Sequence, residues 1–128
     1  MRVFNIEDNA YKSVAIKAAL KWNGITDVTL CDNAGDSLDQ LELAVCNGSP
    51  YDLLVLDMQF PVTPNGVVHV DAGMYVLDEL ERRNIAIPVI VCSTDRLQIS
   101  GVVGCIHYDM RNDLNMDMKE MLGRIKNE

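Results

Sequence analysis

Tyr51-Asp52-Leu53-Leu54-Val55-Leu56-Asp57 decides how this chain folds, because four consecutive apolar residues stop abruptly at an acid. The run is too short for a helix, is rich in Leu and Val, and follows the turn signal Asn47-Gly48-Ser49-Pro50. Those are the marks of a strand covered on both faces, and it delivers one carboxylate, Asp57, to its C-terminal edge. Periodicity alone leaves a buried helical turn as the alternative. The choice rests on whether other strands end in the same way.

Two of them do. Arg2 to Ile6 reads as a short first strand that runs into Glu7-Asp8-Asn9, and Ile87 to Cys92 reads as a buried strand that runs into Ser93-Thr94-Asp95. Between these ends lie helices. From Ala10 to Trp22, the spacing of Tyr11, Val14, Ala15, Ala18 and Trp22 predicts an amphipathic helix with those residues inward and its lysines on the other side. Val28 to Cys31 is a strand. Asp36-Ser37 opens a helix with the stripe Leu38, Leu41, Ala44 and Val45, closed by Asn47-Gly48. Ala72 to Arg83 is helical, with Met74, Leu77 and Leu80 on one face. Cys105 to Tyr108 is the last strand, and Leu114 to Lys126 the last helix, with Leu114, Met118, Met121, Leu122 and Ile125 inward. Met58 to Asp71 holds two prolines and a glycine without a usable period, which predicts a long loop of the kind that is functional or mobile. So few residues, Arg96 to Ser100, precede Gly101-Val102-Val103-Gly104 that any helix there is about one turn.

Strands alternating with helices imply right-handed parallel crossovers, and five such units predict an α/β fold with a doubly wound, five-stranded parallel sheet. Ligands of such sheets bind outside the carboxyl ends of the strands, where Glu7, Asp8, Asp57 and Ser93 fall. With 128 residues and neither linkers nor repeats, the chain reads as one domain over residues 1–128. Nothing after the last helix reads as a further output domain. The absence of a signal peptide and of any apolar run near ~18 residues predicts a cytoplasmic protein with no membrane contact. Cys31, Cys46, Cys92 and Cys105 are scattered and read as reduced, buried thiols. A formal charge of −8 with no basic stripe excludes direct nucleic-acid binding as the expected function.

If Asp8 and Asp57 approach within about 4 Å, their repulsion is about 4 kcal/mol at an effective dielectric of 20, and protonation or a cation must offset it. Mg²⁺ is the natural cation for such oxygens. An Asp carboxylate can also accept a phosphoryl group as a nucleophile, and a hydroxyl such as Ser93 can bond one of its oxygens. Strand-end acids that merely cap helix N-termini are the alternative.

The ordered set resembles a response-regulator receiver domain of two-component signalling, a CheY-like fold. The resemblance is carried by Glu7-Asp8 after the first strand, Asp57-Met58-x-x-Pro61 after the third, Gly73 opening the third helix, Pro88 entering the fourth strand, and Ser93 ending it. It implies that Asp57 is the phospho-acceptor and that Asp8, Asp57 and the Gln59 carbonyl hold Mg²⁺, with Glu7 assisting through water. It also implies that Ser93 is the switching hydroxyl, that a sensor histidine kinase or phosphotransfer protein is the donor, and that a downstream protein is the target, with no enzymatic turnover of its own.

The family's usual Lys after the fifth strand is replaced here, since Tyr108 and Asp109 stand in place of Lys and Pro, and Cys105 takes the place of the switching aromatic. Arg111 is a candidate substitute for the Lys. These departures motivate a second reading, a pseudo-receiver that binds proteins without being phosphorylated. A haloacid-dehalogenase-type phosphatase would need an Asp where Gln59 stands. His69 reads as exposed, His107 as a strand-face residue, and Met110, Met116, Met118 and Met121 as core filler.

Overall fold

In a computed structural model, which describes residues 1–126, five parallel strands form one sheet. The elements are β1 (Arg2–Ile6), α1 (Ala10–Trp22), β2 (Asp27–Cys31), α2 (Ala34–Cys46), β3 (Leu53–Leu56), β4 (Phe60–Pro61), β5 (Val68–His69), α3 (Ala72–Arg82), β6 (Val89–Ser93), β7 (Gly104–His107) and α4 (Leu114–Lys126). The sheet order is β2-β1-β3-β6-β7, and every neighbouring pair is parallel. β3 therefore lies at the centre, its four residues all buried, as a run apolar on both faces requires.

Side chains alternate across a strand, and the sheet separates two cores accordingly. Phe4, Ile6, Leu54 and Leu56 pack against α2 and α3 through Leu38, Leu41, Val76 and Leu80. Val3, Leu53, Val55, Ile90 and Cys92 pack against α1 and α4 through Ile16, Leu20, Met118 and Leu122. Asn33 caps α2, accepting from the Asp36 backbone N–H at 2.9 Å, so that helix starts two residues before Asp36. Burial pushes the Cys92 thiol up to about 12, which makes it inert. The four cysteines are free, as expected, but Cys92 alone is buried; Cys31 and Cys105 are half-buried and Cys46 is exposed.

Three expectations need correction. The first is α1, which buries the opposite face: Lys12, Ser13, Ile16, Ala19 and Leu20 point inward, while Tyr11 is 87% exposed and Val14, Ala18 and Trp22 are exposed too. The second is the stretch after Asp57, where β4 and β5 pair antiparallel with Phe60 opposite His69. Phe60 is fully buried, and the Val62 carbonyl accepts from the Gly35 backbone N–H at 2.7 Å, which pins this hairpin to the start of α2. The third concerns the space between β6 and β7, which contains no helix at all; residues 94–103 cross as a loop. Smaller departures follow the same pattern. Val45 and Met74 face solvent although they belong to the expected stripes, and among the clustered methionines Met118 and Met121 are core while Met110 and Met116 are exposed. The inward face expected of α4 is observed.

Candidate acidic phosphoryl site

β1 and β3 run in register, with Ile6 opposite Leu56, and the Asp57 backbone N–H donates to the Ile6 carbonyl at 3.1 Å. Carried one residue beyond each strand, the alternation that turns Val3 and Val55 toward α1 turns Glu7 and Asp57 the same way. Both are buried, whereas Asp8 is exposed at the mouth. One carboxylate oxygen from each of Glu7, Asp8 and Asp57 lies within 4.8 Å of the others. The cavity around them is about 220 Å³ and is also lined by Asn9, Lys12, Gln59, Val68, Ser93 and Thr94.

The residue absent from the expected set is Lys12. Its Nζ donates to Asp57 Oδ1 at 2.9 Å and lies 2.9 Å from Glu7 Oε1, and the side chains of Lys12 and Glu7 are almost fully enclosed. Lys12 thus pairs with both carboxylates at once. Glu7 Oε2 accepts from the Asn9 backbone N–H at 3.3 Å. Burial pushes the Glu7 carboxyl up to about 7 against the pull of Lys12, and Asp57 adds to the rise. Partial burial raises the Asp8 carboxyl first, and its neighbours Asp57 and Asp32 raise it further. Burial by itself would lower the Lys12 ammonium, yet Glu7 and Asp57 together outweigh it and hold Lys12 above the ordinary lysine range.

On the other side of the cavity, Ser93 is buried at the end of β6 and its Oγ accepts from the Asp95 backbone N–H at 3.1 Å. Tyr108 donates its backbone N–H to the Ser93 carbonyl at 2.7 Å, and its ring lies 5.8 Å from Lys12 Nζ, within cation–π range. Cys105 is not at the cavity; it pairs with Val91 and packs into the α2/α3 core. Arg111 does not reach back either: its side chain is 91% exposed and pairs with Asp109. His107 Nε2 lies 3.0 Å from the Thr94 carbonyl, and His69 is exposed on β5, so neither joins the acids. A larger groove of about 710 Å³, between α3 and residues 98–102, shares no residue with the acidic cavity.

A hard divalent cation fits the donor set. Three carboxylates against one ammonium leave a formal charge of 1 − 3 = −2 inside one cavity. Glu7, Asp8, Asp57 and the Gln59 carbonyl are the groups available to it, all four residues lining one cavity.

No protein-family model matches the chain. No curated protein matches it in sequence. Solved structures superpose on it, receiver domains among them. The signal receiver domain of a putative LuxO repressor protein from Vibrio parahaemolyticus superposes with a TM-score of 0.73 at 16% identity, covering 98% of this chain and 90% of that one. A CheY-like receiver domain protein from Methanospirillum hungatei gives 0.69 at 13% identity, covering 98% and 94%. A point mutant of the receiver domain of the histidine kinase CKI1 from Arabidopsis thaliana gives 0.69 at 17% identity, covering 99% and 90%. The chain has the fold of response-regulator receiver domains.

Proposed function

We propose that this chain is an atypical receiver that accepts a phosphoryl group on Asp57 and signals through contacts with other proteins. One observation carries the reading: Asp57 ends the central strand of a receiver fold inside a cavity that holds Glu7, Asp8 and a buried ammonium. Oδ1 of Asp57 is engaged by Lys12, which leaves Oδ2 as the nucleophile. As Oδ2 forms the new P–O bond, the bond from phosphorus to the donor's nitrogen or oxygen breaks. Its electron pair stays with the donor atom, which takes up a proton. Ser93 Oγ, on the opposite wall, is a buried hydroxyl available to a phosphoryl oxygen. A bound Mg²⁺ would supply charge neutralisation at the phosphoryl oxygens from Glu7, Asp8, Asp57 and the Gln59 carbonyl. The phosphodonor is a histidine kinase or phosphotransfer protein and the target another protein, a reading consistent with solved receivers that belong to histidine kinases. A net charge of −8 disfavours direct nucleic-acid contact.

The test is incubation with Mg²⁺ and phosphoramidate, followed by intact mass and peptide mapping. Wild type gains one phosphoryl group at Asp57 and Asp57→Asn gains none; an unmodified wild type overturns the proposal. The pseudo-receiver reading is favoured by one observation, that Cys105 is packed in the core rather than poised beside Ser93. Partner binding that is indifferent to Asp57→Asn would select it.

A further inference from the structure

We infer that Lys12 is the phosphoryl-pairing cation of this site, supplied from helix α1, and that it couples the state of Asp57 to that helix. The inference rests on Asp57 being the phosphoryl acceptor. Position argues against any local reason for Lys12. Asn9 is the N-cap of α1 and accepts from the Lys12 backbone N–H at 3.0 Å, so Lys12 lies in the first turn. There the helix dipole favours acids and disfavours an ammonium. Burial of its head group adds a desolvation cost that only opposite charges offset. A residue that breaks both rules is explained by what it touches, Glu7 and Asp57 at 2.9 Å each.

No other cation lines the cavity among the described residues. Tyr108 instead fills the end of β7 with an aromatic ring facing Nζ, so charge and ring are complementary replacements across one gap. A phosphoryl group on Asp57 would carry more negative charge than the carboxylate it replaces, and it would draw Nζ away from Glu7. Lys12 belongs to α1 itself, so that displacement acts on the first turn of the helix, whose far face exposes Tyr11, Val14 and Trp22.

The experiment follows beryllofluoride and Mg²⁺ binding by backbone amide NMR in wild type, Lys12→Met, Lys12→Arg and the double variant Lys12→Met/Tyr108→Lys. In wild type, shifts extend through α1. Lys12→Met weakens beryllofluoride binding by about ten- to hundredfold, the loss expected for one charge-assisted hydrogen bond. Lys12→Arg retains most of it, and Tyr108→Lys restores affinity in the double variant without restoring the α1 shifts. Should Lys12→Met not fold, Lys12→Gln, which removes the charge but keeps a polar side chain, replaces it with a loss in the same direction. A folded Lys12→Met protein that binds as wild type does, or α1 shifts unchanged by the substitution, overturns the inference and leaves the proposed function standing. A wild type that binds no beryllofluoride overturns both.

Discussion

The two walls of the acidic cavity are built differently. On the α1 side, Glu7, Lys12 and Asp57 form a buried, ion-paired triad anchored to two registered strands. On the β6–β7 side, Ser93 is in place, but a loop without a helix joins the strands, half-buried Cys105 packs toward the α2/α3 core and Tyr108 stands where a lysine would pair with the phosphoryl group. If Asp57 is the acceptor, this contrast separates accepting a phosphoryl group from relaying its presence. The first would need a few carboxylates and a cation at the end of a central strand, and here that cation would enter from α1. The second needs elements free to move, and those are the parts altered here.

If the acceptor wall is the rigid one, substitutions there should cost most. Gly73 is the tightest point, because its N–H donates to the Met58 carbonyl at 3.0 Å and an added Cβ would lie 2.8 Å from both the Asp57 carbonyl oxygen and Met58 Cα. Gly73→Ala should lower unfolding free energy by about 3 kcal/mol or more, read by urea denaturation. Lys12→Met should cost about 3 kcal/mol by the same method, since two buried carboxylates lose their counter-charge. A cost near zero would show that the triad is not a structural unit.

A pH effect of smaller size sharpens the comparison further. Glu7 binds its proton up to about 7 when folded and up to the ordinary 4.5 when unfolded. Between those values the folded state holds more protons, so this group's stabilisation is complete below 4.5 and is lost as pH rises toward 7. In EDTA-containing buffer, the stability of wild type relative to Glu7→Gln should fall with rising pH across that window. A difference that is flat or rises would contradict the buried, proton-holding Glu7. Away from the cavity effects should be smallest: Arg111→Ala, which removes an exposed pair with Asp109, should leave the thermal melting temperature unchanged.

The sheet was legible in the sequence because its signals are local. Leu53 to Leu56 and Val89 to Cys92 are apolar runs ending in polar groups, and the acids at those ends follow directly. The face of α1 was not legible, because its inward side carries Lys12 and Ser13 while its outward side carries Tyr11, Val14 and Trp22. Any rule that turns the largest apolar residues inward inverts such a helix. Ile16, Ala19 and Leu20 give the correct stripe at helical spacing, and Lys12 stands four residues before Ile16 on that same stripe. The β4–β5 hairpin was hidden by strands of two residues each, one ending in Pro61. Its one signal is Pro64-Asn65-Gly66, where the Gly66 N–H donates to the Thr63 carbonyl at 3.0 Å across a turn with Asn65 at φ 57°. The role of Lys12 joins residues 45 positions apart in sequence, a relation no local pattern contains.

The central claim is that the carboxylate paired with Lys12 takes the phosphoryl group. Intact-mass analysis after phosphoramidate and Mg²⁺ treatment, with the modified residue located by borohydride reduction and peptide mapping, tests it most directly. The account predicts one phosphoryl group, on Asp57, formed in wild type and markedly slower in Lys12→Met. An unmodified protein, or a phosphoryl group on any other residue, would contradict it.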